Sequence, residues 1–158
     1  MITNFPIFTD GTENMGGMLS FQFVETRNLN GFPDFKNSQC LAAISGYLNG
    51  AANLLTGYAE QDTLQFKETS EAGMHRITIS GQLQKISLQL IELFRQMKEN
   101  SFVVITTDNN GLKRIVGTRT HGARFSFNTD AGNTPASYNG ADFQFTVDMP
   151  EPAPYYPF

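Results

Sequence analysis

The pattern of apolar and polar residues predicts a chain built mostly of short strands. Apolar side chains alternate with polar ones in several separate runs, which is typical of strands with one face buried. These runs are Met18–Thr26, Thr63–Lys67, His75–Ile79, Phe102–Thr107, Leu112–Thr118, Ala123–Asn128 and Phe143–Met149. Ala72-Gly73 separates one pair of runs and Asn110-Gly111 another, and such dipeptides favour tight hairpin turns. The pattern therefore predicts at least two β-hairpins in an antiparallel sheet.

One stretch has helical spacing instead. Between Leu83 and Lys98, apolar residues recur three and four positions apart, which places them on one face of a helix. We predict an amphipathic helix over about residues 83–98, with Ser80 as its N-cap. The side chains expected to bury against the sheet are Ile86, Leu90, Leu93 and Met97. A helix with one apolar face needs a partner, and the neighbouring strands supply it.

These elements give a fold class. The sequence predicts a mainly β (α+β) protein in which one main helix covers an antiparallel sheet, arranged as a sandwich or a partly open barrel. At 158 residues, we expect a single domain spanning 1–158. The uncharged stretch 37–59 is compatible with a helix, but its glycines favour short strands with turns at Asn49-Gly50 and Thr56-Gly57.

Two terminal segments read as extended arms. The N-terminal arm, 1–17, carries Phe5, Ile7 and Phe8, and its start lacks the basic and apolar regions of a signal peptide. The C-terminal arm, 150–158, contains four of the seven prolines together with Tyr155, Tyr156 and Phe158. Either arm can pack on a neighbouring copy, so these aromatic and apolar residues are candidates for a subunit interface, as is Tyr138 in a polar loop. The alternative for the C-terminal arm is that it folds over its own sheet edge.

Composition and charge narrow the range of possible functions. Only 16% of residues are charged and the net charge is −4, so there is no electrostatic footprint for nucleic acid and we expect no direct contact with it. A basic cluster between Lys113 and Arg124 reads as a solvated strand face. The longest uncharged stretch is too polar to cross a membrane. A surface with few charges is compatible with burial in an assembly.

Catalytic and metal-binding motifs are missing from the sequence. Cys40 is the single cysteine, and His75 and His121 are the two histidines. The chain contains no phosphate-binding glycine loop, zinc signature or nucleophile elbow. The run from Asp108 to Gly111 favours a hairpin turn over a calcium loop, because the downstream glutamate is missing. We therefore expect no enzymatic activity, no metal and no cofactor.

From Thr63 onward the chain resembles a family of small proteins from the structural gene clusters of phages and prophages of Bacteroides-type bacteria. The resemblance rests on the order of several short motifs. These are Phe66-Lys67-Glu68, Ala72-Gly73, the run Phe102–Gly111, Ile115–Thr118, Arg124-Phe125, Asp130-Ala131-Gly132, Tyr138-Asn139-Gly140 and Phe143-Gln144-Phe145. It implies a tail-tube-like fold and a structural role in a virion or tail, without catalysis.

The sequence leads to two candidate functions. The resemblance implies a self-assembling tail protein, a homo-oligomer in a ring or tube, that contacts other virion or tail proteins. Such a protein is made in the bacterial cytoplasm and then joins a virion or tail-like particle. The alternative is a β-rich binding module that recognises a glycan or cell-surface partner through Tyr138, Tyr155 and Tyr156 as stacking platforms.

Overall fold

The computed structural model describes residues 17–28, 54–60, 62–84, 86–130, 133 and 140–156. Within these residues there are nine strands and one α-helix. They are β1 (Met18–Glu25), β2 (Leu55–Gly57), β3 (Gln65–Glu71), β4 (Met74–Leu83), α1 (Leu88–Lys98), β5 (Ser101–Asp108), β6 (Lys113–Val116), β7 (Ala123–Asp130), β8 (Gly140–Met149) and β9 (Tyr155–Tyr156). A 3₁₀ turn, Thr26–Asn28, follows β1. The predicted mainly β fold with one main helix is confirmed.

All strand pairs are antiparallel, and the sheet is open. Its order is β2-β1-β5-β7-β8-β4-β3, so the path ends in β2 and β3 without closing into a barrel. The sheet branches at β5, one side of which pairs with β1 along its length. The other side pairs first with β7, at Ser101 and Phe102, and then with β6, from Val104 to Thr107. The short strand β9 lies on the far side of β6.

An aromatic core bends this sheet into a sandwich-like arrangement. β1 and β8 are not neighbours in the sheet, yet their phenylalanine rings contact one another across the core in tilted and edge-on arrangements. Phe21 lies 5.6 Å from Phe143 and 5.8 Å from Phe145, measured between ring centroids. Phe145 is 1% exposed and also contacts the ring of Phe102 at 5.8 Å. Burial of these large rings is the main source of stabilisation for a sheet that lacks closure.

The two predicted hairpins are present. Ala72 and Gly73 join β3 to β4 with φ values of 52° and 80°, the left-handed pair that a two-residue hairpin turn requires. Between β5 and β6, Gly111 has φ 83° and its N–H donates to the Asp108 carbonyl at 3.0 Å. The Asp108 carboxylate accepts hydrogen bonds from the N–H groups of Asn110 and Leu112, each at 2.9 Å. The run from Asp108 to Gly111 is therefore a hairpin turn.

The helix is shorter than the sequence pattern predicts. It begins at Leu88, whereas Leu83 is the last residue of β4 and pairs with Ala141 of β8. Ser80 lies inside β4 and caps no helix. The N-cap is Ser87, whose hydroxyl accepts a hydrogen bond from the Leu90 N–H at 3.2 Å. Pairing with the long strand β8 extends β4 to Leu83, the first residue that the helical spacing assigns to the helix.

The helix also turns a different face to the sheet. Its buried residues are Phe94 and Met97, and Leu90 is half-buried against the core. Leu93, which the sequence pattern assigns to the core, is 46% exposed, and Ile86 precedes the helix and is half-buried. The face that contacts β7 is therefore centred on Phe94, one position beyond the predicted stripe.

Ser87→Ala should lower the free energy of unfolding by about 0.5–2 kcal/mol, the usual cost of losing an N-cap side chain. The Leu90 N–H would lose its hydroxyl partner at the start of α1. Ser80→Ala provides the control, since it removes a hydroxyl from β4 at the position that the sequence pattern assigns to the cap. Urea denaturation of both variants measures the difference. Equal losses would contradict the placement of the cap.

Candidate functional site

The described part of the C-terminal arm folds over its own sheet edge. After β8 ends at Met149, the chain runs through prolines to β9, which pairs with β6 in the register Arg114↔Tyr155. The Ile115 N–H donates to the Pro154 carbonyl at 3.0 Å. Proline lacks an N–H, and at this edge position it loses no ladder hydrogen bond. Of the two interpretations of the arm, the described residues follow the second.

The arm occupies a defined seat between β3 and β6. Ala153 is 5% exposed and Pro154 is buried, so this part of the arm lies under other side chains. The Ala153 N–H donates to Oε1 of Glu68, on β3, at 3.3 Å. The Ala153 N–H is therefore bonded to a carboxylate of β3, and the neighbouring Pro154 carbonyl is bonded to the backbone of β6.

The side chain of Arg114 contacts Tyr155 of the arm. Its guanidinium carbon lies 4.9 Å from the ring centroid of Tyr155 and 5.1 Å from that of Phe66. Nη2 donates to the Tyr155 hydroxyl at 2.9 Å, and Nη1 lies 3.6 Å from Oε2 of Glu68. We call Phe66, Glu68, Arg114 and Tyr155 the Arg114 clamp. A guanidinium near two rings adds cation–π attraction of about 0.5–2 kcal/mol, depending on desolvation.

The clamp was not predicted from the sequence. Arg114 stands among basic residues that read as a solvated strand face, whereas the structure places it half-buried, with 32% of its side chain exposed. Its partners come from β3 and β9, far away in the chain. The only local signal is that Phe66 and Glu68 alternate with exposed residues along β3, which marks them as sharing one face.

A free sheet edge lies beside the clamp. β3 pairs with β4 over all seven of its residues, from Gln65↔Ser80 to Glu71↔Met74. Among the described residues, no further strand pairs with the outer side of β3. Along such a strand, the N–H and C=O groups of every second residue face away from the sheet and can template another strand.

An apolar cleft separates α1 from β2. Its volume is about 550 Å³, and its walls are aromatic and aliphatic side chains of β1, β8 and the helix. Leu93 lines this cleft, which is why it stays 46% exposed although it lies beside the buried Phe94. Tyr58, 67% exposed, stands at the rim. Two of the exposed large apolar residues of the described chain, Tyr58 and Leu93, therefore belong to this cleft.

The outer face of β4 and β8 carries an exposed ion pair. Arg76 Nε lies 2.9 Å from Oδ1 of Asp148, and Nη2 donates to Oδ2 at 3.2 Å. The hydrogen bonds from Arg76 lower the pKa of the Asp148 carboxyl below its usual value. A carboxyl with a lowered folded-state pKa stabilises the protein above its unfolded-state pKa, and that stabilisation is lost as pH falls through the folded-state value.

Asp148→Asn should therefore flatten the acid limb of the stability profile. The wild-type thermal midpoint should fall more steeply than that of the variant as pH drops below about 3.9, the ordinary pKa of an unfolded aspartate, toward the lower folded-state pKa of Asp148. The two profiles should run parallel above about pH 5, where the carboxylate stays charged. The effect is small because the pair is solvent-exposed. Identical slopes at low pH would show that the pair contributes no pH-dependent stability.

The structure tests only part of the predicted interface set. Tyr155 belongs to the Arg114 clamp, and the backbone of Tyr156 forms β9 with it. Several predictions lie outside the described residues: Phe5, Ile7, Phe8 and the rest of 1–16, Cys40 with the turn at Asn49-Gly50 and the strands of 37–53, Tyr138, and Phe158. Within the described part of 37–59, Thr56 and Gly57 lie in β2 and form no turn, because Gly57 packs against the ring of Phe21.

Other features bear on function less directly. The described residues contain no group of three or more His, Cys, Asp or Glu placed to hold a metal ion. Among them, α1 is too short to span a membrane, and no other helix is a candidate. Comparison with protein-family models, curated proteins and solved structures found no match. The edge strand β3, the seated arm and the cleft are therefore the features from which a function can be argued.

Proposed function

We propose that this protein is a self-assembling structural subunit of a phage-type tail or tail-like particle, placed in a tube or a tube-associated ring. The observation that carries the proposal is the open sheet, whose end strand β3 offers seven residues of backbone edge. The type of particle is proposed from the resemblance of the chain, from Thr63 onward, to phage structural proteins. The low share of charged residues, 16%, suits a surface that copies bury against one another.

The topology suits a head-to-tail contact. The two ends of the sheet differ, because β3 has seven residues and β2 has three. A contact between two different surfaces repeats from copy to copy, and it closes into a ring or continues as a helical tube. Among the described residues the outer edge of β3 is unpaired, and strand addition there pairs its outward N–H and C=O groups. The apolar cleft beside α1 offers a second surface that neighbouring copies can bury.

The glycan-binding alternative requires aromatic rings that are open for stacking on a sugar. One of its three candidate platforms, Tyr155, has its ring centroid 4.9 Å from the Arg114 guanidinium carbon, and its hydroxyl accepts a hydrogen bond from the same side chain. The Tyr155 ring is therefore used to hold the arm, rather than being open for stacking on a sugar. This observation favours assembly over glycan stacking.

Size-exclusion chromatography with light scattering, followed by electron microscopy, tests the proposal across a concentration series. We expect rings or filaments of uniform diameter, with a mass that is a multiple of one chain. A single monomeric peak at every concentration would contradict the proposal. Binding of that monomer to a glycan array would support the alternative function, a glycan-binding module.

Proline substitution tests the β3 edge directly. Successive N–H groups of a strand point to opposite sides, so one of Thr69→Pro and Ser70→Pro removes an N–H bonded to β4 and the other removes one facing outward. The outward variant should keep the wild-type thermal midpoint and lose assembly. The inward variant should lower the midpoint and serves as its matched control. Full assembly by the variant that keeps its midpoint would exclude β3 as the contact.

A further inference from the structure

We infer that, in the assembled particle, the C-terminal arm of one copy binds the β6 edge of its neighbour, where Tyr155 of the arm completes the clamp with Phe66, Glu68 and Arg114 of the receiving copy. The occupant is residues 153–156 of a second copy of this chain, in place of the receiving copy's own arm. The inference rests on the proposed function, since a neighbour must be held close for the exchange. It adds the landing site of the arm, which the sequence does not specify.

The seat does not depend on which chain supplies the arm. The hydrogen bonds of residues 153–155 go to Glu68 on β3 and to Arg114 and Ile115 on β6. None of these strands is β8, from which the arm emerges. An arm from another copy therefore makes the same contacts with the same geometry. This is the condition under which exchange of an element between copies costs little.

The connection between β8 and β9 is suited to exchange. Residues 150–154 carry three prolines and no helix or strand, so the arm leaves β8 as a stiff extended segment. Moving the arm to a neighbour changes backbone dihedrals near Pro150 and breaks no other element. Opening the arm in a single chain breaks the two-residue β9 pairing and the contacts of Ala153 and Tyr155, and an identical seat on a neighbour restores all of them.

Effective concentration explains why the arm is closed in a single chain. Intramolecular contact through a short linker corresponds to an effective concentration in the mM range, far above that of free chains in dilute solution. Within a ring, a neighbour's β6 edge is held at a comparable effective concentration. Exchange then adds a link between copies while every seat stays filled, as in strand addition to a sheet edge.

Crosslinking between chains tests the inference. Two variants are made in a Cys40→Ser background, one with Lys113→Cys and the other with Tyr156→Cys, since these positions are paired in the β6–β9 register. The chains are mixed, allowed to assemble, and treated with a short bismaleimide. Lys113→Cys chains alone are the matched control. A single chain with both substitutions, treated at high dilution, reports closure within one chain.

Exchange predicts a crosslinked dimer from the mixed, assembled sample and none from the control. The doubly substituted chain should crosslink within itself when dilute and between chains when assembled. If the mixed sample assembles without a dimer while the doubly substituted chain still closes on itself, the exchange is excluded and the proposed function stands. If no sample assembles, the proposed function fails and the exchange fails with it. Light scattering on the same samples separates these two results.

Discussion

Phe94→Ala should lower the free energy of unfolding by about 3–5 kcal/mol, the range for removing a buried phenylalanine. Phe94 is 5% exposed, and it is the ring that joins α1 to the sheet. Its centroid lies 5.0 Å from Phe125, 5.2 Å from Phe127 and 6.2 Å from Phe143. Truncation removes three ring contacts and widens the adjoining apolar cleft, and the rigid strands beneath cannot collapse to fill it.

Leu93→Ala is the matched control, one position away on the same helix. Because Leu93 is 46% exposed, its truncation should cost about 1 kcal/mol or less. Leu90→Ala should fall between the two, since Leu90 is half-buried against the core. Urea denaturation monitored by far-UV circular dichroism measures all three. A loss for Leu93→Ala as large as that for Phe94→Ala would show that α1 presents the predicted face instead.

The helix shows what the sequence leaves undecided. From Leu90, both Leu93 and Phe94 lie at helical spacing, and both lead on to Met97. The stripe through Leu93 is continuous with Leu83 and Ile86, so the sequence pattern favours it. Leu83, however, pairs with Ala141 in the sheet, a contact 58 residues away along the chain (141 − 83). Once the helix starts at Leu88, the face centred on Phe94 meets β7.

Local sequence signals predicted the strands and hairpins well, because the turns depend on nearby residues. They failed at the helix start, because pairing with a distant strand determines where β4 ends. The turns at Ala72-Gly73 and Asp108–Gly111 are determined by backbone conformations that only a few residues adopt, so the dipeptides mark them reliably. The seat of the arm depends on contacts between residues up to 85 positions apart. The sequence places aromatic residues in the arm, but it does not show that one edge of β6 can pair with the arm. That edge is available because the sheet branches at β5.

Gly117→Ala should cost about 2–5 kcal/mol, since it combines two penalties. Gly117 lies where the second side of β5 passes from β6 to β7, between Val104↔Val116 and Phe102↔Ala123. Its φ is 91°, and left-handed backbone costs a residue with a side chain about 1–2 kcal/mol. A Cβ there would also lie 3.0 Å from the Phe102 carbonyl oxygen and 3.3 Å from the Ala123 nitrogen. Crowding of this kind adds about 1–3 kcal/mol, because both neighbours are backbone atoms of the branch and cannot rotate away.

Gly111→Ala separates the two penalties. Gly111 has a similar φ of 83°, but no atom lies within 4 Å of the position that its Cβ would take. This variant should therefore lose only the conformational term, about 1–2 kcal/mol. Urea midpoints of the two variants give the difference, which measures how tightly the branch at β5 is packed. Equal losses would mean that the strands yield at Gly117, and that the passage from β6 to β7 is looser than these distances indicate.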